Sequence, residues 1–506
     1  MTGATACVLG FDIGTTSTIG ILLGLPDRVL GLASRPVTLS APQPGWSEED
    51  PRQWWDNLCA ISAQLLVETG VAATAIKAVG VTGMLPAVVL LDAAGRLLRP
   101  SIQQSDARCG AEVEALRAEI DEAAFLSKAG NGINQQLVTA KLRWLARHEP
   151  EIFAEIDTVF GSYDYINWRL TGERAVEQNW ALEAGFVDVA EARLDDGLIA
   201  LAGIPRRAVP RRVGSTEILG WITPDAAQAT GLAEGTPVIG GAADMIASAL
   251  GAGVVAAGDL LLKFGGSVDI LTATTAVRPD PRLYLDHHLI PGLFMPNGCM
   301  STGGSVLDWF VRTLAGGEAA AAAAAGLTPF QWLDQLAAAR PAGCEGLMVL
   351  PYFLGEKTPL HDPTARGVFN GLTLSHDLGH LWRAVLEAYG FALRHHVDVL
   401  TEIGHPVRRF IVSDGGAASL VWMQIVADVL QQPLQRLSGH PGSCLGVAWT
   451  AAIGVGLEQD WAAIDRFVAG ADRVLPNPAL AEVYDQGYQN FRDLYRRLAA
   501  PRRHGA

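Results

Sequence analysis

Four short stretches of the 506-residue chain hold the residues best suited to chemistry. In the first, Val8 to Leu22, an apolar run gives way to Asp12, Gly14, Thr15, Thr16 and Ser17, then to a second apolar run. The pattern predicts strand, tight turn, strand, with Gly14 supplying the unusual backbone angles such a turn needs. One carboxylate beside three hydroxyls and exposed backbone N–H groups suits a divalent cation next to phosphate oxygens. The second stretch, Leu260 to Leu271, repeats the design around Gly265, Gly266 and Ser267. Two such units far apart in one chain predict two related halves addressing one phosphate chain. The third stretch, Val238 to Gly251, delivers a single acid, Asp244, among Gly and Ala where a strand runs into a helix. No cation neighbours Asp244 in sequence, and a helix N-cap competes there with a chemical role. The fourth, Phe410 to Ser419, reads as a strand, the turn Gly415-Gly416-Ala417 and a helix start.

These stretches need a scaffold, and the intervening sequence predicts one of α/β class. Trp54, Trp55, Leu58, Ile61, Leu65 and Leu66 recur at helical spacing, Ile76 to Thr82 reads as a buried strand, and Ala87 to Leu91 as another. Near the end, Asn477-Pro478 reads as a cap with Pro at N1, ahead of a stripe of Leu480, Val483, Tyr488, Phe491, Leu494, Tyr495 and Leu498. At this length two or more domains are expected. Hydrophobic residues make up 49% and charged residues 18%, which is globular and excludes extensive disorder. A net charge of −15 leaves no basic surplus for nucleic acid. The six cysteines form neither a zinc pattern nor a disulfide framework, which fits a reducing cytoplasm. No signal segment is apparent, and the weakly polar run from Met245 to Ala257 is too short to span a membrane.

The loops around Asp12 and Gly265 resemble the two phosphate loops of the superfamily that contains actin, sugar kinases and heat-shock chaperone ATPases. Gly367-Val368-Phe369-Asn370-Gly371-Leu372, seven residues, then His380 to Glu387 satisfies the second signature of the FGGY carbohydrate kinases at every position. Lys141 to His148 fits the second half of the first signature, and Ser162 to Gly172 is similar to a further family segment. Without the resemblance, both segments are amphipathic helices, the second stopped by Gly172. His380 is assigned to capping or packing rather than chemistry.

The resemblance, from Leu9 to about Gly456, implies two actin-like ATPase (ribonuclease H-like) domains, residues 1–253 and 254–506, with an interdomain cleft. It implies an ATP- and Mg²⁺-dependent kinase that phosphorylates a hydroxyl of a small sugar. Asp244 becomes the general base. Asp12 holds Mg²⁺ with Asp244 nearby, while Gly14, Thr15, Thr16, Ser17, Gly265, Gly266 and Ser267 clamp phosphates. Gly304, Asp308, Gly415, Gly416 and Ala417 complete the nucleotide site, with Gly442 to Ala448 resembling the segment that closes beside the adenosine.

On the sugar side the resemblance implies Met84, Leu85, Gln104, Asp106, Gln136, Asp244 and Met245. Several depart from the family pattern. Leu85 and Pro86 stand where xylulokinases have His-Gly, Gln104 where Trp is usual, Met245 where Gln or Asn is common, and Gly266 where Thr is frequent. For Asp106, a surface pair with Arg108 competes with sugar binding. A ketopentose such as xylulose or ribulose is the first expectation, with glycerol-, erythritol- or ribitol-type kinases as alternatives. An actin-like or chaperone-like ATP-driven switch is the rival from another class. A homodimer is common in such relatives.

Overall fold

The computed structural model describes residues 6–439, 441–468 and 472–499. The chain divides into two compact units, and neither is one continuous stretch. The first gathers Met1–Val255, Val277–Met295 and His440–Val468; the second gathers Ala256–Ala276, Pro296–Gly439 and Ala469–Ala506.

In the first unit the strands Cys7–Ile13, Ser17–Gly24 and Arg28–Pro36 run antiparallel to their neighbours. On the other side of Cys7–Ile13, the strand Ile76–Gly83 lies parallel, followed by Pro237–Ile239. The parallel strands Cys7–Ile13 and Ile76–Gly83 are almost wholly buried because both faces are covered, whereas Arg28–Pro36 is largely exposed. The helix Pro51–Thr69 covers one face. Asp50 caps it by accepting from Arg52 N, Pro51 occupies its first position, and Gly70 closes it at φ 66°. Trp54, Trp55, Leu58, Ile61 and Leu65 are its buried stripe.

The opposite face is covered by the helix Ser443–Gly454, drawn from late in the sequence. Glycines let it approach the main chain of its neighbours. A Cβ on Gly10 would lie 2.3 Å from Cys444 O, one on Gly80 2.6 Å from Val447 O, and one on Gly446 1.9 Å from Ala247 O. Here a glycine is the only residue that fits.

The second unit repeats the plan. Phe294–Met300, Val268–Thr272 and Asp259–Phe264 form an antiparallel ladder, and Arg409–Ser413 and Leu434–Arg436 continue it in parallel. Strand order and sense thus recur, which is the duplicated build of an actin-like fold. The long helix Leu378–Glu402 begins in a capping box, with Asp377 accepting from His380 N and His380 Nδ1 accepting from Asp377 N. His380 is a capping residue. The C-terminal helix Ala481–Ala499 buries Tyr484, Tyr488 and Phe491, while Val483 is 42% exposed. Of the expected stripe Tyr488 and Phe491 are buried and Leu494, Tyr495 and Leu498 half-buried; Tyr484 takes the place of Val483, its hydroxyl donating to buried Glu387 and accepting from Arg383.

Candidate active site

The parallel strands of the first unit end together, and register decides what they present. Asp12 pairs with Thr82, and Thr82 in turn with Ala242; Ile13 pairs with Gly83, and Gly83 with Ala243. Asp244 follows Ala243 directly, so both acids emerge at one edge of the sheet, separated by a single strand. Two strand spacings of about 4.8 Å put the main chains of Asp12 and Ala242 about 10 Å apart, with Asp244 two residues further on. Gly241 makes the turn into this edge at φ 92°, and a Cβ there would lie 2.3 Å from Val81 O.

Asp244 is the first residue of the helix Asp244–Gly251, not its N-cap, which is Ala243. Its Oδ1 accepts from Met245 N at 2.7 Å, so the carboxylate sits against the positive end of the helix. Asp12 Oδ2 accepts from Ser443 Oγ at 2.6 Å. Ser443 starts the late helix described above, so the segment Gly442 to Ala448 belongs to the first unit and meets Asp12 there. The turn Gly415 to Ala417 lies in the second unit.

The loop after Asp12 is a hairpin closed by Gly14 N donating to Ser17 O at 3.1 Å. Gly14 does not take a positive φ, contrary to expectation. Its role is steric: a Cβ would lie 3.0 Å from Ser17 O. Thr16 is exposed, and Thr15 and Ser17 are half-buried.

Met84 and Leu85 are buried at the same edge, with Met84 N donating to Ile13 O and its carbonyl accepting from Ser162 Oγ. Met245 is half-buried beside Asp244, and Gln136 is half-buried with its N–H given to Asn134 Oδ1. Asp106 is a buried ion pair rather than a surface one. It is 1% exposed, and its oxygens take Arg108 Nε, Arg108 Nη2, Arg108 N and Ser47 N. Arg108 also pairs with Glu48 and lies 3.7 Å over the Trp46 ring. The arginine beside Asp106 holds its carboxyl below the usual range despite burial. Both of its oxygens are engaged by these hydrogen bonds.

Two neighbours were not singled out from sequence. Lys141 is fully buried, donates from Nζ to Gln103 O at 2.6 Å, and is pushed down to about 8 by burial. Gln103 itself is 0% exposed, and neither side-chain amide atom has a hydrogen-bond partner among the described residues. The bridge Val88–Ile102 sets Gln103 opposite Ala87, just past the Leu85–Pro86 turn. Gln104 is half-buried with Oε1 also unsatisfied. Buried amides without partners cost free energy, which a hydrogen-bonding ligand would offset.

In the second unit a cavity of about 870 Å³ is lined by Gly265, Gly266, Gly304, Asp308, Gly415 and Gly416, with Phe330, Leu420 and Trp422 among its apolar walls. That size and lining suit a nucleoside. Asp334 holds one rim together by accepting from Ser419 Oγ and Trp382 Nε1. Gly304 makes its close approach to the phosphate loop rather than to open space. Its N–H donates to Gly265 O, and Ser305 donates from N and Oγ to Gly266 O. Ser267 closes against the same turn, since a Cβ on Gly303 would lie 2.9 Å from Ser267 O. Ala417 is buried and Ala418 lines the cavity in its place. Ala417 O instead accepts from Arg436 Nε, which fixes the turn.

A duplicated actin-like fold with a phosphate loop in each half is the build of a phosphotransferase. Residues 7–251 match the N-terminal domain of the FGGY family of carbohydrate kinases, and residues 266–455 match its C-terminal domain. The chain belongs to the FGGY family of carbohydrate kinases and is a sugar kinase. A crystal structure of xylulose kinase from Rhodospirillum rubrum is 56% identical, with a TM-score of 0.93, covering 98% of this chain and 99% of that one. The xylulose kinase of Escherichia coli (strain K12) is 32% identical over 97% of this chain and 99% of its own length. The L-xylulose/3-keto-L-gulonate kinase of the same organism is 29% identical over 96% of each. Among the described residues no helix is long and apolar enough to cross a membrane.

Proposed function

We propose that this chain transfers the γ-phosphoryl group of ATP to a hydroxyl of a ketopentose, with xylulose as the preferred acceptor. The observation that carries the substrate is the 56% identity, over nearly the full length of both chains, to the xylulose kinase of Rhodospirillum rubrum. The two units divide the labour. The glycine-walled cavity of the second unit receives the nucleoside, and the edge of the first unit's sheet receives the sugar.

Phosphoryl transfer needs positioning and charge neutralisation more than covalent help. Asp244 orients the attacking hydroxyl and takes its proton. Asp244 sits at a helix N-terminus, where the helix dipole favours a negative charge. Asp12, held by Ser443, would hold Mg²⁺, with Asp244 following the neighbouring strand. A site of one or two carboxylates fits that ion, which characteristically completes its shell with waters and substrate phosphates. When bound, it neutralises phosphate charge. Thr15, Thr16, Ser17 and the backbone from Gly265 to Ser267 hold phosphate oxygens. Met84, Leu85, Gln104 and Met245 shape the sugar pocket, Gln103 adds its buried amide, and Asp106 supports the wall through Arg108.

The substitutions at Leu85, Pro86, Gln104 and Met245 favour a second reading, a kinase for another ketose or a polyol. The discriminating experiment is ATP turnover across xylulose, ribulose, glycerol, erythritol and ribitol, with phosphorylated product identified by mass. Xylulose giving the highest kcat/KM is expected. A polyol outpacing every ketopentose would overturn the substrate, and ATP hydrolysis stimulated only by a protein would overturn the kinase reading in favour of a switch.

A further inference from the structure

We propose that the second unit carries a separate binding site for a phosphate monoester at the edge of its sheet opposite the nucleotide turn. A cavity of about 260 Å³ there is lined by Arg408, Arg409, Phe410, Pro433, Gln435 and Arg473. Three strands contribute: Arg409–Ser413, Leu434–Arg436 and Arg473–Val474. Arg409 and Phe410 open their strand, whereas the nucleotide turn at Gly415 follows its far end. Four steps of about 3.3 Å separate Arg409 from Ser413, so the two sites lie at opposite ends of one strand.

Charge carries the argument. Acidic residues number 53 against 38 basic ones, so the chain has acids to spare for neutralising surface cations. Here they are withheld. Arg409 is matched by Asp259, which accepts from Arg409 Nε and Nη2 at 2.8 Å each. Asp472, next to Arg473 in sequence, is turned to Arg436 at 3.5 Å. The guanidiniums of Arg408 and Arg473 make no hydrogen bond or ion pair with any described residue. Two uncompensated guanidiniums converging on one concavity repel each other and raise its potential, and an anion relieves both effects.

The chemistry narrows the anion. Guanidinium forks bind phosphate oxygens in pairs, and two forks match a dianion better than a single carboxylate. The Gln435 amide adds a neutral donor and acceptor for hydroxyls, and Phe410 and Pro433 give an apolar wall for a short carbon skeleton. The volume is below the usual range for drug-sized ligands, which favours a small phosphorylated metabolite or free phosphate over a nucleotide.

The test reads binding rather than turnover, and so stands apart from the identity of the sugar. The full-length chain, its nucleotide site filled with a non-hydrolysable ATP analogue and Mg²⁺, is titrated calorimetrically with ribose 5-phosphate and, separately, with inorganic phosphate. Saturable binding is expected, weakened at least about tenfold in the R408A/R473A double variant, since hydrogen bonds to charged groups are being removed. R408K, which keeps charge but loses the fork, should fall between, and R28A on the other unit should match the parent. Equal affinity for both probes with the same variant dependence identifies free phosphate as the ligand and upholds the site. Absence of saturable binding for both probes, or binding unaltered in the double variant, overturns the proposal.

Discussion

Ser443 and Asp12 stand 431 positions apart in sequence, yet the serine Oγ donates to the aspartate Oδ2 at 2.6 Å. The proposed metal-bearing carboxylate is thus oriented by the first residue of a helix from the far end of the chain. Ser443 touches neither sugar nor phosphate in this scheme; it is a positioning residue. Replacing it with Ala should lower kcat/KM about tenfold or more, the scale of one lost hydrogen bond to a charged group. The deficit should shrink as Mg²⁺ is raised, because a misaligned ligand weakens metal affinity first. Steady-state kinetics over a Mg²⁺ series decides it; a loss identical at every concentration would count against the role.

Asp244→Ala should reduce phosphorylation about 10²–10⁴-fold, the scale of a missing general base. Nucleotide affinity, measured by calorimetry, should stay near that of the parent because the nucleoside cavity lies in the other unit. Near-normal turnover would sink the assignment.

The strands and both glycine turns were legible because they depend on local order: apolar runs, a break, and a return. Asp106 was not, because its burial comes from Trp46 and Trp144 closing over Arg108 from distant segments. An Asp–Arg pair two residues apart looks the same in sequence whether wet or dry. Ser443 was invisible for the same reason, since nothing near it predicts which strand its helix will cover. Gly14 was read as supplying unusual backbone angles; it takes no positive φ, and a Cβ there would instead meet Ser17 O at a tight 3.0 Å. Both a left-handed φ and a crowded Cβ select glycine, and only coordinates separate them.

Gly266 offers a test of the opposite kind. A Cβ built there meets nothing within 4 Å, so the position is not sterically bound to glycine. Gly266→Thr should fold normally and add a hydroxyl beside the nucleotide cavity. Its melting temperature should equal or exceed the parent's, helped by the smaller backbone entropy of the unfolded chain. The KM for ATP should hold or fall, and a raised KM with unchanged stability would argue against a phosphate-facing loop.

Glu49 supplies a pH signature. It is 1% exposed, its Oε2 accepts only from Trp54 Nε1, and burial pushes its carboxyl up to about 7. A carboxyl raised in the folded state stabilises the fold below its unfolded pKa of about 4.3 and loses that contribution as pH rises toward 7. Glu49→Gln has no proton to lose. The melting temperature of the variant minus that of the parent should therefore climb between pH 4.5 and 8. A flat difference across that range contradicts a protonated Glu49.

The late helix Ser443–Gly454 also sets the order in which this protein can be made. Domains generally fold as they leave the ribosome, N-terminal first. Here the first unit's sheet has one apolar face with nothing to cover it until the residues around Gly446 have been synthesised. By then the second unit has been synthesised except for Ala469–Ala506. The early strands must wait, exposed, through most of translation, and a nascent chain stalled or truncated before Ser443 is a client for chaperones rather than half an enzyme.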